Sequence, residues 1–139
     1  MKIIRRAKFS AGHRLWKHEG RCAHIHGHNY VVFFHATADR LDSLGRVIDF
    51  TVLKQRLGGW LDEHWDHGFI CHREDHEIID ALSAIEGQKI FLIESNPTAE
   101  NLADYLLRVV CPQQLAGTGV RVERVALWET NNCGVEVAL

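Results

Sequence analysis

The chain has 139 residues, 46% of them hydrophobic and 24% charged, which suits one globular domain with its own core. The formal charge of −2 argues against a broad nucleic-acid surface, which needs a basic excess. No apolar run approaches the roughly 18–20 residues of a membrane span. The opening MKIIRRAKFSAGH lacks the apolar stretch of a secretory signal. The four cysteines, Cys22, Cys71, Cys111 and Cys133, show no paired spacing. They read as reduced thiols of a cytoplasmic protein. Ten histidines are the compositional outlier, and they point to metal binding, proton transfer or both.

Taken in chain order, the first element is a half-exposed strand. Ile3, Ala7, Phe9, Ala11 and His13 share one parity, and Arg6, Lys8 and Ser10 share the other. Residues 28–37 predict a second strand with His28, Tyr30, Val32 and Phe34 on one face. GRVIDF then leads to Thr51 as the expected N-cap of a helix. Leu53, Leu57, Trp60, Leu61 and His64 form its stripe. The Gly58-Gly59 pair should weaken that helix by roughly 1 kcal/mol per glycine relative to alanine. Residues 74–87 predict a loop with a short helix around Ile78, Ile79 and Leu82, and QKIFLI a short strand.

Thr98 is placed to cap a second long helix, with Glu100 favourably in its first turn. Leu102, Leu106, Val109 and Val110 supply the stripe, and Pro112 is expected to end it. Two strands close the chain, VRVERVALWE and GVEVAL, joined by a turn at Thr130–Cys133. In the first of them Val120 and Val122 are even-numbered, whereas Val125, Leu127 and Glu129 are odd. A bulge near Glu123-Arg124 reconciles the two halves. The order predicts an α+β fold over residues 1–139, an antiparallel sheet with two long helices on one face.

The stretch CAHIHGHNY, residues 22–30, concentrates the chemistry. In an extended segment His24, His26 and His28 share a face. Gly27 removes a side chain and permits an irregular backbone between two of them. If the first two strands pair as a hairpin, His13 meets His26 and His28 at one sheet edge. Three neutral imidazoles suit Zn²⁺ and leave a fourth position for substrate. Parity alone does not separate His24 from the ligands, and it reads better as a neighbour. An HxH by itself is weak evidence. Amidohydrolase barrels need ~250 residues, and the acidic residues that follow HxH in other hydrolases or in cupins are missing from NYVVFF.

Six motifs carry a resemblance. They are AGHRL at 11–15, Cys22 four residues before His26 in CAHIHGHN, VIDF at 47–50, LDEHWDH at 61–67, NPTAEN at 96–101 and LWET at 127–130. Together, in order and spanning nearly the whole chain, they resemble the 6-pyruvoyl-tetrahydropterin synthase and 6-carboxytetrahydropterin synthase family. The resemblance implies the tunnelling fold, whose sheets join into a barrel, and a homohexamer built as a dimer of trimers. It implies Zn²⁺ on His13, His26 and His28, with Cys22 as a proton-transferring thiolate. Asp66 and His67 would support it from a neighbouring subunit. Glu129 would anchor a pterin ring, and Thr98 and Glu100 would lie near it.

The implied substrate is 7,8-dihydroneopterin triphosphate. The product is 6-carboxytetrahydropterin with loss of acetaldehyde and triphosphate, on the way to 7-deazaguanines such as queuosine, or else a pyruvoyl pterin. A pterin- or metal-binding oligomer without turnover would not need Cys22, Asp66 and His67 together. Each residue also has a plainer reading. Cys22 can be an unreactive thiol, Asp66-His67 a solvated helix end, Glu129 a strand charge and Glu100 a helix-terminal acid. His35 and His64 read as structural; Cys71, Cys111 and Cys133 as incidental; Trp60, Trp65 and Trp128 as core or interface residues. The sequence departs from many members at Ala-His-Ile between Cys22 and His26, and in the length of 68–95.

Overall fold

The computed structural model describes residues 1–139. Strand β1 (Ile3–His13) and strand β2 (His26–Ala38) pair antiparallel along their length, Ile3 opposite Ala36 and His13 opposite His26. Alternation sends Phe9, Ala11 and His13 of β1 and Tyr30, Val32 and Phe34 of β2 to the buried face. Strand β5 (Val120–Trp128) lies on the far side of β2, and β6 (Gly134–Ala138) beyond it. The expected bulge is present. His35 pairs with Arg124 and Ala36 with Val122, so Glu123 is the extra residue.

Two helical stretches cover the buried face. The first runs as α1 (Phe50–Leu53), a wide π turn at Lys54–Gly58, and α2 (Gly59–His64). Its cap is Asp49, whose carboxylate accepts the Thr51 N–H at 2.8 Å, two residues earlier than expected. A carboxylate at this position also reaches Arg46, at 2.9 Å, which the Thr51 hydroxyl does not. The Gly58-Gly59 pair sits where the wide turn returns to α geometry, so the weak point of the sequence coincides with the irregularity.

The second stretch runs as α4 (Ala99–Tyr105), a π turn at Leu106–Val110, and α5 (Cys111–Gln114). Thr98 caps it through Asn101 N–H, as expected. Pro112 does not end it. The π turn resets the hydrogen-bond ladder, so Pro112 falls in the first turn of α5, where a missing N–H costs least.

The sheet is mixed rather than wholly antiparallel. Strand β3 (Gly68–His72) runs parallel to the end of β1 and parallel to β4 (Ile90–Ile93). Helix α3 (His76–Ser83) makes the crossover that a parallel pair requires. The five residues GFICH are nearly all buried, so they show no alternation from which to read a strand. The six strands run in the order β4-β3-β1-β2-β5-β6. One core cluster joins Phe9, Tyr30, Val32, Phe34, Val125 and Leu127 of the sheet to Leu53, Leu57, Leu61, Leu102 and Leu106 of the helices. No helix is long and apolar enough to cross a membrane.

Leu102 and Leu106 are fully buried in that cluster. Truncating either to alanine should cost about 2–5 kcal/mol in urea unfolding at fixed protein concentration. Leu44→Ala, at a side chain 74% exposed, should stay within about 0.5 kcal/mol.

Candidate metal centre

The antiparallel register brings the three histidines together. His13 lies opposite His26, and Ala11 lies opposite His28. Ring centroids are 4.5 Å apart for His13–His26 and 5.1 Å for each pair with His28. One nitrogen from each ring falls within 4.8 Å of the other two. Gly27 serves this approach differently from expectation. Its φ is not left-handed and β2 runs straight through it. A Cβ there would stand 2.9 Å from the Ala11 carbonyl oxygen. The glycine allows the two strands to close up behind the rings.

Hydrogen bonds on the far side of two rings decide which nitrogens are bare. His13 Nδ1 lies 2.8 Å from the Pro97 carbonyl oxygen, and His26 Nδ1 lies 2.7 Å from the His24 carbonyl oxygen. A carbonyl can only accept, so both Nδ1 atoms carry the hydrogen. Both Nε2 atoms then present lone pairs, and they face each other at 3.0 Å. His28 Nε2 is buried with no hydrogen-bond partner; Glu129 Oε1 stands 3.1 Å away, close enough for attraction but out of line for a hydrogen bond. Two lone pairs facing each other at 3.0 Å, with a third ring nitrogen close by, repel unless a cation lies among them.

A proton on His13 does not fill that role at neutral pH. Burial pushes His13 down to about 4; the Pro97 carbonyl opposes this, while His26 and His28 add to it. Burial also lowers His28, against the pull of Glu129. Neutral nitrogen donors in this number fit a borderline metal ion such as zinc.

A cavity of about 340 Å³ opens beside the rings. His13 and His26 line it together with Cys22, Thr98, Glu100 and Glu129, so four further expected residues meet there. Cys22 lies in a short 3₁₀ turn, Arg21–Ala23, and its carbonyl accepts the Leu15 N–H at 2.7 Å, closing the loop that follows β1. His28 faces a second, more open depression with Ser10 and Asn29.

Asp66 and His67 do not line the 340 Å³ cavity. Asp66 accepts the Ser10 N–H at 2.8 Å and bonds His67 Nδ1 at 2.7 Å. Burial would raise the Asp66 carboxyl, but these two donors together hold it below the ordinary range. His67 has a left-handed φ of 57°, and its side chain is 83% exposed. The pair is built, and on this chain its ring faces outward. The His24 ring is exposed as well; its backbone carbonyl is what contributes, through His26.

Residues 2–138 match the family model described as 6-pyruvoyl tetrahydropterin synthase. The chain belongs to that family. It is 41% identical over 137 residues to the 6-carboxy-5,6,7,8-tetrahydropterin synthase of Rickettsia felis, covering 99% of both chains. It is 34% identical to the synthase of the same description from Aquifex aeolicus, covering 93% of this chain and 92% of that one. Among solved structures, the 6-pyruvoyl tetrahydropterin synthase of Caenorhabditis elegans superposes with a TM-score of 0.71 at 23% identity, covering 100% of this chain and 95% of that one. The Plasmodium vivax enzyme does so at 0.71 and 17%, covering 99% and 96%. These structures share the fold.

As a member of the 6-pyruvoyl tetrahydropterin synthase family, the chain holds several contributors that its sequence did not single out. The carbonyls of Pro97 and His24 set two tautomers, and backbone atoms carry no residue signature. Tyr30 is buried beneath the centre, its hydroxyl 3.3 Å from His13 Nδ1. Cys133 lines the cavity, although its spacing carries no motif. Cys71 and Cys111 are buried, and burial pushes their thiols up to about 11 and about 12. Both are inert core residues. His64 tilts against Trp60, and His35 accepts from Arg124.

His13 gives a pH dependence with a definite sign. The unfolded chain takes up its proton near 6.5, and the folded chain not until about 4. Protons therefore favour unfolding inside that window. At about 1.4 kcal/mol per unit, metal-free protein should lose about 3 kcal/mol between pH 6.5 and 4 through this group. Denaturant midpoints measured across that range, with and without His13→Gln, check it; the variant should show a flatter slope.

Proposed function

We propose that this chain is a zinc-dependent lyase with 6-carboxytetrahydropterin synthase activity. With one water it converts 7,8-dihydroneopterin triphosphate to 6-carboxytetrahydropterin, releasing acetaldehyde and triphosphate, in 7-deazaguanine (queuosine-type) synthesis. The observation that carries the reading is the three-histidine cluster beside a cavity that His13 and His26 line together with a thiol and a carboxylate. The carboxy branch is favoured because the full-length relative at 41% identity bears that activity in its name, while the pyruvoyl enzymes superposed above are under 25% identical and speak to fold alone.

His13, His26 and His28 would hold the ion. When bound, it would act as a Lewis acid on the substrate's side-chain oxygens. Cys22 sits across the same cavity, where a thiolate can take a proton from a side-chain carbon and return one. Glu129 is half-buried and can accept paired N–H groups from the aminopyrimidinone edge of a pterin. Thr98 spends its oxygen lone pair on Asn101 N–H, which leaves its O–H free to donate into the cavity. Glu100, on the first turn of α4, adds a second acceptor on that wall. Asp66 holds the His67 Nδ1 hydrogen and leaves Nε2 free for proton transfer.

Because His67 faces outward, it serves the cavity of a neighbouring copy. Open edges support such a neighbour. Strand β3 covers β1 only over Ala11–His13, so Ile3–Phe9 has no partner on that side, and β6 ends the sheet at its other edge. The outer face between these edges carries apolar residues among its charged ones, with Ile4 53% and Trp128 41% exposed beside half-buried Val31 and Phe33, next to Arg6 and Lys8. Edge-to-edge addition by rotation closes a ring, and two rings of three give the homohexamer.

Product analysis with dihydroneopterin triphosphate should yield acetaldehyde and the carboxy pterin; a pyruvoyl pterin would transfer the chain to the other branch, and binding without turnover would make it a binder. Cys22→Ala should retain about one zinc per chain and pterin binding while losing about 10²–10⁴-fold in rate. Light scattering after size exclusion should report six chains, and a fully active monomer would contradict the shared site.

A further inference from the structure

We propose that Asn96 is a positioning residue of the metal centre, clamping the loop after β1 so that the Pro97 carbonyl holds His13 in its metal-binding tautomer. This rests on the three-histidine site binding a metal. Within NPTAEN, Thr98 and Glu100 line the cavity, but Asn96 and Pro97 do not. Their contacts run to β1 and the loop after it instead. Asn96 Oδ1 accepts the Trp16 N–H at 2.7 Å, and Asn96 Nδ2 donates to the Trp16 carbonyl at 3.0 Å. One side-chain amide thus makes both bonds of a strand rung, to a residue 80 positions away. The next residue, Pro97, places its carbonyl oxygen 2.8 Å from His13 Nδ1.

The rest of Asn96 is tied down too. Its own carbonyl accepts the Thr98 N–H and the Asn101 side-chain amide, both at 2.8 Å. Trp16 lies three residues beyond His13, so the rung fixes the strand end and the Pro97 carbonyl in one frame. The choice of a carbonyl matters. A water molecule at that position could donate to Nδ1 and move the hydrogen to Nε2, which would then have no lone pair for a metal. A carbonyl cannot donate, provided it stays in place, and the Asn96 rung keeps it there. Aspartate has the same shape but can only accept, so it would lose the bond to the Trp16 carbonyl and place a charge against it.

The test uses Asn96→Asp and Asn96→Ala in the full-length protein. Zinc affinity is measured by chelator competition, the Co²⁺-substituted site by its visible absorption, and the His13 tautomer by ¹⁵N shifts of histidine-labelled, metal-free protein. The proposal expects a loss of about 10–100-fold in zinc affinity, a changed Co²⁺ spectrum and a mixed His13 tautomer, in protein that still folds without metal. Asn101→Ala, which removes only the bond to the Asn96 carbonyl, should give a smaller loss of the same kind. Zinc affinity within twofold of the parent, with the parent spectrum and tautomer, would reduce Asn96 to a loop staple and overturn the proposal. Collapse of the metal-free fold in both Asn96 variants would overturn it as well, since a residue that only positions His13 is not needed to fold. If the parent itself takes up no zinc, the proposed function fails instead, and the ¹⁵N measurement still judges the clamp.

Discussion

Two imidazole nitrogens face each other at 3.0 Å with their hydrogens turned away, and a third points at the same spot without a partner. Left to themselves the rings would rotate apart or share a proton. Here neither is easy. Carbonyl oxygens hold the outer nitrogens of His13 and His26, and burial keeps a proton off His13 until about pH 4. The arrangement is a preformed set of donors for a positive charge. The fold around it maintains that set against the rings' own preference.

What maintains it is the β1–β2 ladder and the core beneath. Eleven residues of β1 are in register with β2, and the two strands press together at Gly12 and Gly27 where the ligands sit. Phe9 stacks on Tyr30 at 4.7 Å just below, so the strand ends are anchored by aromatic packing as well as by backbone bonds. From the other direction the start of α4 closes over the site, bringing the Pro97 carbonyl, Thr98 and Glu100 as a unit. A third support comes from the parallel β3–α3–β4 segment. Asp75, fully buried just before α3, accepts from Arg14 Nε at 2.7 Å, next in sequence to the ligand His13. That ion pair holds the Asp75 carboxyl well below the usual range. Three distant segments thus converge on residues 13–16.

The elements that proved legible were those with one wet face. Alternation identified β1, β2 and the bulge in β5, and helical stripes identified both long helices. Thr98 as a cap and Glu129 as an inward acid followed from the same patterns. The misreadings share a cause. GFICH is buried on both sides, so it has no pattern, and without it the parallel pairing of the predicted QKIFLI strand was invisible. Asp49 and Thr51 are both acceptable caps, and only the neighbouring Arg46 separates them. Pro112 stops a regular helix, but the preceding π turn changes its position in the ladder, and that turn leaves no mark in residue type.

The residues by themselves narrowed the possible metal ligands to a few histidines, because imidazoles two apart on a strand point the same way, without excluding His24. They also determined which faces would be buried, because apolar area leaves water at the period of the element that carries it. The tertiary structure decided the rest. Which nitrogen of the His13 and His26 rings is bare depends on carbonyls supplied by Pro97, 84 positions from His13, and by His24 next door. Those acceptors are backbone atoms, present in every residue, so their effect exists only once the chain has folded and brought them within hydrogen-bonding distance.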